Sequence, residues 1–114
     1  MTHKMKLFES PYEMIRSGQK TIELRLNDEK RQKIQVGDFI EFTQAETKEK
    51  IVAEVIELHR FDSFTELYQK LPLLKCGYTE KTVDSAKPGD MDKYYSGEEQ
   101  NKYGVIGIEI KVVT

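Results

Sequence analysis

Apolar residues recur at every second position in Ile22, Leu24 and Leu26, in Ile40 and Phe42, in Ile51, Ala53 and Val55, and in Ile106, Ile108, Ile110 and Val112. A two-residue period sends alternate side chains to opposite faces of a strand, so each run predicts a strand with one apolar and one polar face. The third run changes phase at Ile56 and Leu58. Such a change predicts a β-bulge, the device by which small barrels bend and close. Met5 to Phe8 adds a short opening strand, Val36-Gly37-Asp38 a turn into the strand from Phe39, and the last strand is expected over Tyr103 to Val113.

Helical spacing and its stop signals define the other elements. Ser10-Pro11-Tyr12-Glu13 reads as a capping box with proline at the first helical position. The helix it predicts buries Met14 and Ile15, exposes Arg16 and stops at Gly18. Ser63-Phe64-Thr65-Glu66 is a second box, followed by Phe64, Leu67, Tyr68 and Leu71 on one face and ended by Pro72. Between Leu73 and Gly89 the periodicity is lost, which predicts an irregular excursion. Asp90 would then cap one more short helix running to Tyr95, with Met91, Tyr94 and Tyr95 on one side. The order strand, helix, strand, strand, strand, helix, short helix, strand is α+β.

Composition narrows the function classes. A length of 114 residues suits one domain, 1–114, with a single core, and 33% charged residues imply a heavily solvated surface. The formal net charge is −2, which is not the strongly basic balance of a protein that holds long nucleic acid by its overall field. A nucleic-acid site would have to be local. Cys76 is the single cysteine, which excludes an intrachain disulfide and a thiolate metal cluster, and a reducing cytoplasm is the expected location. Met1 to Phe8 lacks the apolar run of a leader, and no segment approaches the ~20 apolar residues of a membrane span. His3, in a terminus expected to fray, and His59 stand apart from other ligand types, so neither a metal nor another cofactor is expected.

The chemistry concentrates between the first helix and the second strand, in Ser17-Gly18-Gln19-Lys20-Thr21-Ile22-Glu23-Leu24-Arg25. Alternation places Glu23 and Arg25 on one polar face. Gly18 gives the turn freedom to aim Lys20 towards the same face. Two readings fit these residues: a structural ion cluster on the sheet wall, and a site where two cations bind a phosphate or a base carbonyl beside an orienting carboxylate. Lys30, Arg31 and Lys33, in the polar loop from Asn27 to Lys33, are either a charged loop tip or a phosphate-facing rim. Tyr12, Tyr94, Tyr95 and Tyr103 are candidates to stack on a base.

The spacing Gly18-x-Lys20-x-x-Glu23-x-Arg25 resembles the G-x-K-x-x-E-x-R signature of the ASCH domain family, within the PUA-like superfold. The resemblance covers almost the whole chain, through the glycine-aspartate turn, the long strand, the helical insertion and the closing strand. It implies a small, mixed, mostly antiparallel β-barrel with two to three short helices, the polar set lying in a cleft between the barrel and the first helix. By function it implies an RNA-binding domain acting in RNA metabolism or transcription-related regulation, with single-stranded RNA or a nucleotide bound at Gly18, Lys20, Thr21, Glu23 and Arg25.

Some bacterial relatives look like small amidohydrolases of N4-acylated cytidines, using a lysine, a threonine and a glutamate, and others are linked to RNA cleavage. On that alternative Lys20 and Glu23 would be catalytic. The chain departs from the pattern, because Glu23 occupies the threonine's position and Thr21 directly follows Lys20. Glu66, Glu80 and Asp90 are all open as a third residue of such a site. A protein-interaction module is the remaining alternative; the partner's identity and the oligomeric state stay open.

Overall fold

The computed structural model describes residues 1–113. Five strands form one sheet: β1 (Thr2–Leu7), β2 (Ile22–Leu26), β3 (Phe39–Gln44), β4 (Lys50–Phe61) and β5 (Val105–Val112), in the order β1-β3-β4-β5-β2. Only β1 and β3 pair in parallel; β3 with β4, β4 with β5 and β5 with β2 are antiparallel. The sheet curls into a half-barrel. β1 and β2 are its two edges, and among the described residues no ladder joins them.

The sequence pattern explains the curl. Val55 pairs with Ile110 but Glu57 pairs with Glu109, so Ile56 is the surplus residue of a bulge where the apolar phase changes. Ile56 is turned outwards and Leu58 regains the core phase, packing against the main cluster. That cluster fills the concave side with Ile40, Phe42, Val55, Ile106 and Ile108 and is closed by α1 (Glu9–Ser17) through Tyr12 and Ile15. Tyr12 is therefore a core residue at 1% exposure and cannot stack on a base.

A second cluster covers the other face of β2 and β5, where Ile22, Leu24, Leu26 and Val105 meet Phe64 and Leu67 of α2 (Phe64–Lys70). Contact here is close: a Cβ at residue 107 would stand 2.6 Å from Leu71 Cδ1 and 3.2 Å from Ile22 Cγ2, so any side chain there would displace Leu71. β2 is thus buried on both faces.

Several local expectations are corrected. α1 begins at Glu9 after Phe8, so Ser10 and Pro11 lie within its first turn and Ser10 is not the cap. Tyr12 makes the first helical bond, to the Phe8 carbonyl, and a proline at position 11 costs nothing because its missing N–H would have had no helical partner. Ser63 does cap α2, accepting from the Glu66 amide, and Gly18 ends α1 at φ 87°. Residues Pro88–Lys93 form 3₁₀ helix rather than an Asp90-capped α-helix; Asp90 sits at its third position and accepts from the Lys87 amide.

The sequence pattern also hides α3 (Gly97–Tyr103), capped by Ser96 and Glu99, so that Tyr103 ends a helix instead of opening β5. His3 is not frayed: it lies in β1, paired with Ile40, and its ring bonds Asp38 at 2.8 Å. Among the described residues no helix is long and apolar enough to cross a membrane.

Candidate functional site

The seam between the two edge strands holds the motif. Strand β2 alternates, so Glu23 and Arg25 project to the concave side, opposite Ile22 and Leu24 in the second cluster. The left-handed turn at Gly18 and the bond from the Lys20 amide to the Met14 carbonyl fold Lys20 back onto the same side. Glu23 accepts from both cations: Lys20 Nζ lies 2.8 Å from Oε1, and Arg25 Nε lies 2.8 Å from Oε2. Arg25 Nη2 also donates to the Lys6 carbonyl at 3.1 Å. One guanidinium therefore bridges β2 and β1 where the backbone ladder stops.

The electrostatics follow from this geometry. Burial alone would raise the Glu23 carboxyl, whose side chain is 4% exposed, but Lys20 and Arg25 outweigh it and hold the group below the usual carboxylate range. Burial works against the Arg25 charge too, and the facing Glu23 carboxylate reverses this and raises it. The carboxylate is an ionised acceptor with a cation at each oxygen. Lys20 and Arg25 keep 11% and 17% of their side chains exposed, and both line the space above.

That space is a cleft of about 570 Å³, bounded on one side by β1 and α1, on its floor by the motif, and on the other side by the irregular segment after α2. The irregular segment is latched to the motif, because the Thr21 amide donates to the Lys75 carbonyl at 2.9 Å. Gly77, at φ 110°, lies flat against the Lys20 side chain, with a Cβ position only 3.4 Å from Lys20 Cδ. Cys76 is buried beside it, and burial pushes its thiol up to about 11. It is a packing residue, not an activated thiolate.

The lining includes four cationic side chains, Lys6, Lys20, Arg25 and Lys93, against two carboxylates, Glu23 and Asp90. The cleft is locally positive on a chain of net charge −2. Two aromatic rings stand open at its rim, Phe8 at 69% and Tyr94 at 57% exposure. Tyr95 also lines it but is held by stacking on Phe64, with ring centroids 6.2 Å apart.

The remaining residues singled out in the sequence fall elsewhere. Lys30, Arg31 and Lys33 do not line the cleft; Arg31 pairs with Asp28 at 3.1 Å. Tyr103 packs against the second cluster under Lys102. Gly18 and Thr21 shape the turn without lining the cleft, and of the three acids considered, only Asp90 reaches it. Sequence reasoning missed Phe8, Tyr68, Tyr78 and Lys93. Tyr78 and Lys93 lie in or after a stretch without periodicity, Tyr68 read as part of the apolar face of the second helix, and Phe8 looked like the end of a strand.

Comparison with known proteins agrees with this architecture. The ASCH domain model matches residues 5–114. No curated protein matches the chain. The crystal structure of the hypothetical protein PH0355 superposes with a TM-score of 0.80 at 33% identity, covering 99% of this chain and 100% of that one. The solution structure of PF0455 from Pyrococcus furiosus gives 0.75 at 32% identity, covering 99% and 98%. An ASCH protein from Zymomonas mobilis shares the fold at a TM-score of 0.64 and 16% identity, over 96% of this chain and 66% of that one.

Proposed function

The chain belongs to the ASCH domain family, generally linked to RNA binding, and on that premise we propose that its seam cleft binds one nucleotide of a single RNA strand. The observation that carries this reading is the buried triad. Glu23 neutralises one of two cations and orients both, leaving a net positive donor pair at the floor of a cleft sized for a nucleoside. Lys20 and Arg25 would take a phosphate or a base carbonyl, which are acceptor-only groups. Phe8 and Tyr94 offer faces on which a base can stack at the rim.

A hydrolase draws less support from the same geometry. A general base needs an accessible lone pair and a pKa near the working pH. Glu23 is buried, bonded to a cation at each oxygen and held below the usual range. It suits positioning of Lys20 and Arg25 better than activation of water.

The test is fluorescence anisotropy of a labelled, mixed-sequence single-stranded RNA across a salt series. Arg25→Gln and Tyr94→Ala should both weaken binding, and Arg25→Gln should flatten the salt slope by about one unit for the lost phosphate contact. Tyr94 is largely exposed, so its variant keeps the fold. Binding equal to the wild type in both folded variants would overturn the proposal. Release of cytidine from N4-acetylcytidine would replace it with the hydrolase.

A further inference from the structure

The wall of the cleft facing the cations carries a hydrogen-bond chain whose direction can be assigned. Asp90 Oδ2 accepts from the Tyr78 hydroxyl at 2.8 Å and from the Lys87 amide at 3.2 Å. Those bonds hold the Asp90 carboxyl below its ordinary range, the Tyr78 bond contributing most, so the group is ionised and can only accept. The Tyr78 proton is therefore committed to Asp90. Tyr68 and Tyr78 hydroxyls lie 2.6 Å apart, and with the Tyr78 proton spent, the proton between them must come from Tyr68. Tyr68 then has no proton left to give. Its oxygen offers lone pairs only.

All three side chains line the cleft, and Asp90 Oδ1 has no hydrogen-bond partner among the described residues. These three side chains therefore offer acceptors only, with the Lys93 ammonium further along the same wall, while Lys20 and Arg25 on the floor offer donors only. A ligand that spans the cleft needs an acceptor or anionic group at one end and an N–H donor at the other.

We propose that the Tyr68–Tyr78–Asp90 chain makes the cleft selective for a base with an exocyclic amino group over its keto counterpart: cytosine over uracil, and adenine over hypoxanthine. The amino group donates to Tyr68 Oη or Asp90 Oδ1. A carbonyl in the same place would face lone pairs and a negative charge. This inference rests on the nucleotide-binding reading and adds to it the class of base.

The test uses cytidine, uridine, adenosine and inosine 5′-monophosphates, each titrated into the 15N-labelled protein and followed by amide shifts. The wild type should bind each amino nucleotide about tenfold more tightly than its keto partner, the size expected when a half-buried acceptor loses its donor. Tyr68→Phe retains the ring that packs edge-on against Phe64 and removes the oxygen, and should reduce that ratio. Asp90→Asn introduces a donor and lets the chain reverse, so it should reduce the ratio as well. Equal binding of amino and keto partners by the wild type would overturn the selectivity while leaving the nucleotide site standing. Ratios unchanged in both variants would also overturn it. No shift with any of the four nucleotides would instead remove the nucleotide reading on which the inference depends.

Discussion

Glu23→Gln tests the seam most directly. The carboxylate separates two cations, with Lys20 Nζ at Oε1 and Arg25 Nε and Nη2 both at Oε2. An amide can accept from one of them, but its NH₂ end must then face the other, a donor against a donor. Removing one partner of a buried ion pair costs about 3–5 kcal/mol. Lys20 and Arg25 retain some solvent and Arg25 keeps the Lys6 carbonyl, which argues for the lower end, about 3 kcal/mol. With a urea m-value of roughly 1.5 kcal/mol per molar for a domain of this size, the midpoint should fall by about 2 M.

Far-UV circular dichroism in urea at pH 7 measures this, and the same series at lower pH supplies an independent check. Glu23 is depressed in the folded protein, so its contribution is complete above the ordinary carboxylate range and disappears as pH falls through the lower folded value. The gap between wild type and variant should therefore narrow in acid. A loss below about 1 kcal/mol at pH 7, the size of an exposed pair, would refute the buried-triad argument. So would a gap that stays constant from neutral pH into acid.

Gly77→Ala should cost about 1–3 kcal/mol, because residue 77 sits at φ 110°, a conformation strained for any L side chain, although the new methyl would meet Lys20 only in ordinary contact. Urea unfolding checks the cost, and an unchanged midpoint would show that the segment repositions freely. Cys76, with its thiol pushed up to about 11 by burial, should react with iodoacetamide at pH 8 far more slowly in the native protein than in denaturant. Equal rates would mean that the segment over Lys20 is open. Asp38→Asn should loosen the start of β1, since Asp38 bonds His3, the Gln35 amide and the N-terminal ammonium. Faster hydrogen exchange at β1 amides is the readout, with no change counting against that role. The His3 bond depresses the Asp38 carboxyl, so this tether persists above the ordinary carboxylate range and is lost as pH falls through the depressed value.

What the sequence discloses depends on whether a local signal coincides with a burial period. The β4 bulge and the Ser63 cap are legible because Val55, Leu58, Phe64 and Leu67 mark the buried face on either side of them. The Ser96–Glu99 box is as complete as any in the chain, yet α3 reads Gly-Glu-Glu-Gln-Asn-Lys-Tyr and buries no residue, so no hydrophobic period accompanies it. Ser10 and Glu13 have the box spacing without forming it, because the turn begins earlier, at Phe8. The face shared by Glu23 and Arg25 follows from strand alternation alone. The hydrogen-bond chain of Tyr68, Tyr78 and Asp90 does not, since it joins α2 to a residue of the aperiodic stretch and to one in the 3₁₀ turn after it. Pairings of that kind are set by tertiary packing and leave no spacing to read.

The two sheet edges explain why the polar set lies where it does. An unpaired strand edge exposes N–H and C=O groups that invite another chain, and a fully closed barrel removes the hazard by pairing them. Closing β1 onto β2 here would bury the seam and abolish the cleft. The chain closes it with a side chain: the Arg25 guanidinium takes the Lys6 carbonyl and is itself fixed by Glu23, which Lys20 fixes from the other side. Lys4 and Lys6 add charge to the β1 edge. Substituting Arg25 should therefore do more than weaken a ligand: it removes the only contact described between the edges by hydrogen bond or ion pair among residues 1–113. If the proposed site is correct, stability and recognition draw on the same guanidinium, so Arg25 and Tyr68 variants have to be read with their unfolding curves beside their binding curves, whereas the exposed Tyr94 gives the cleaner report on the cleft.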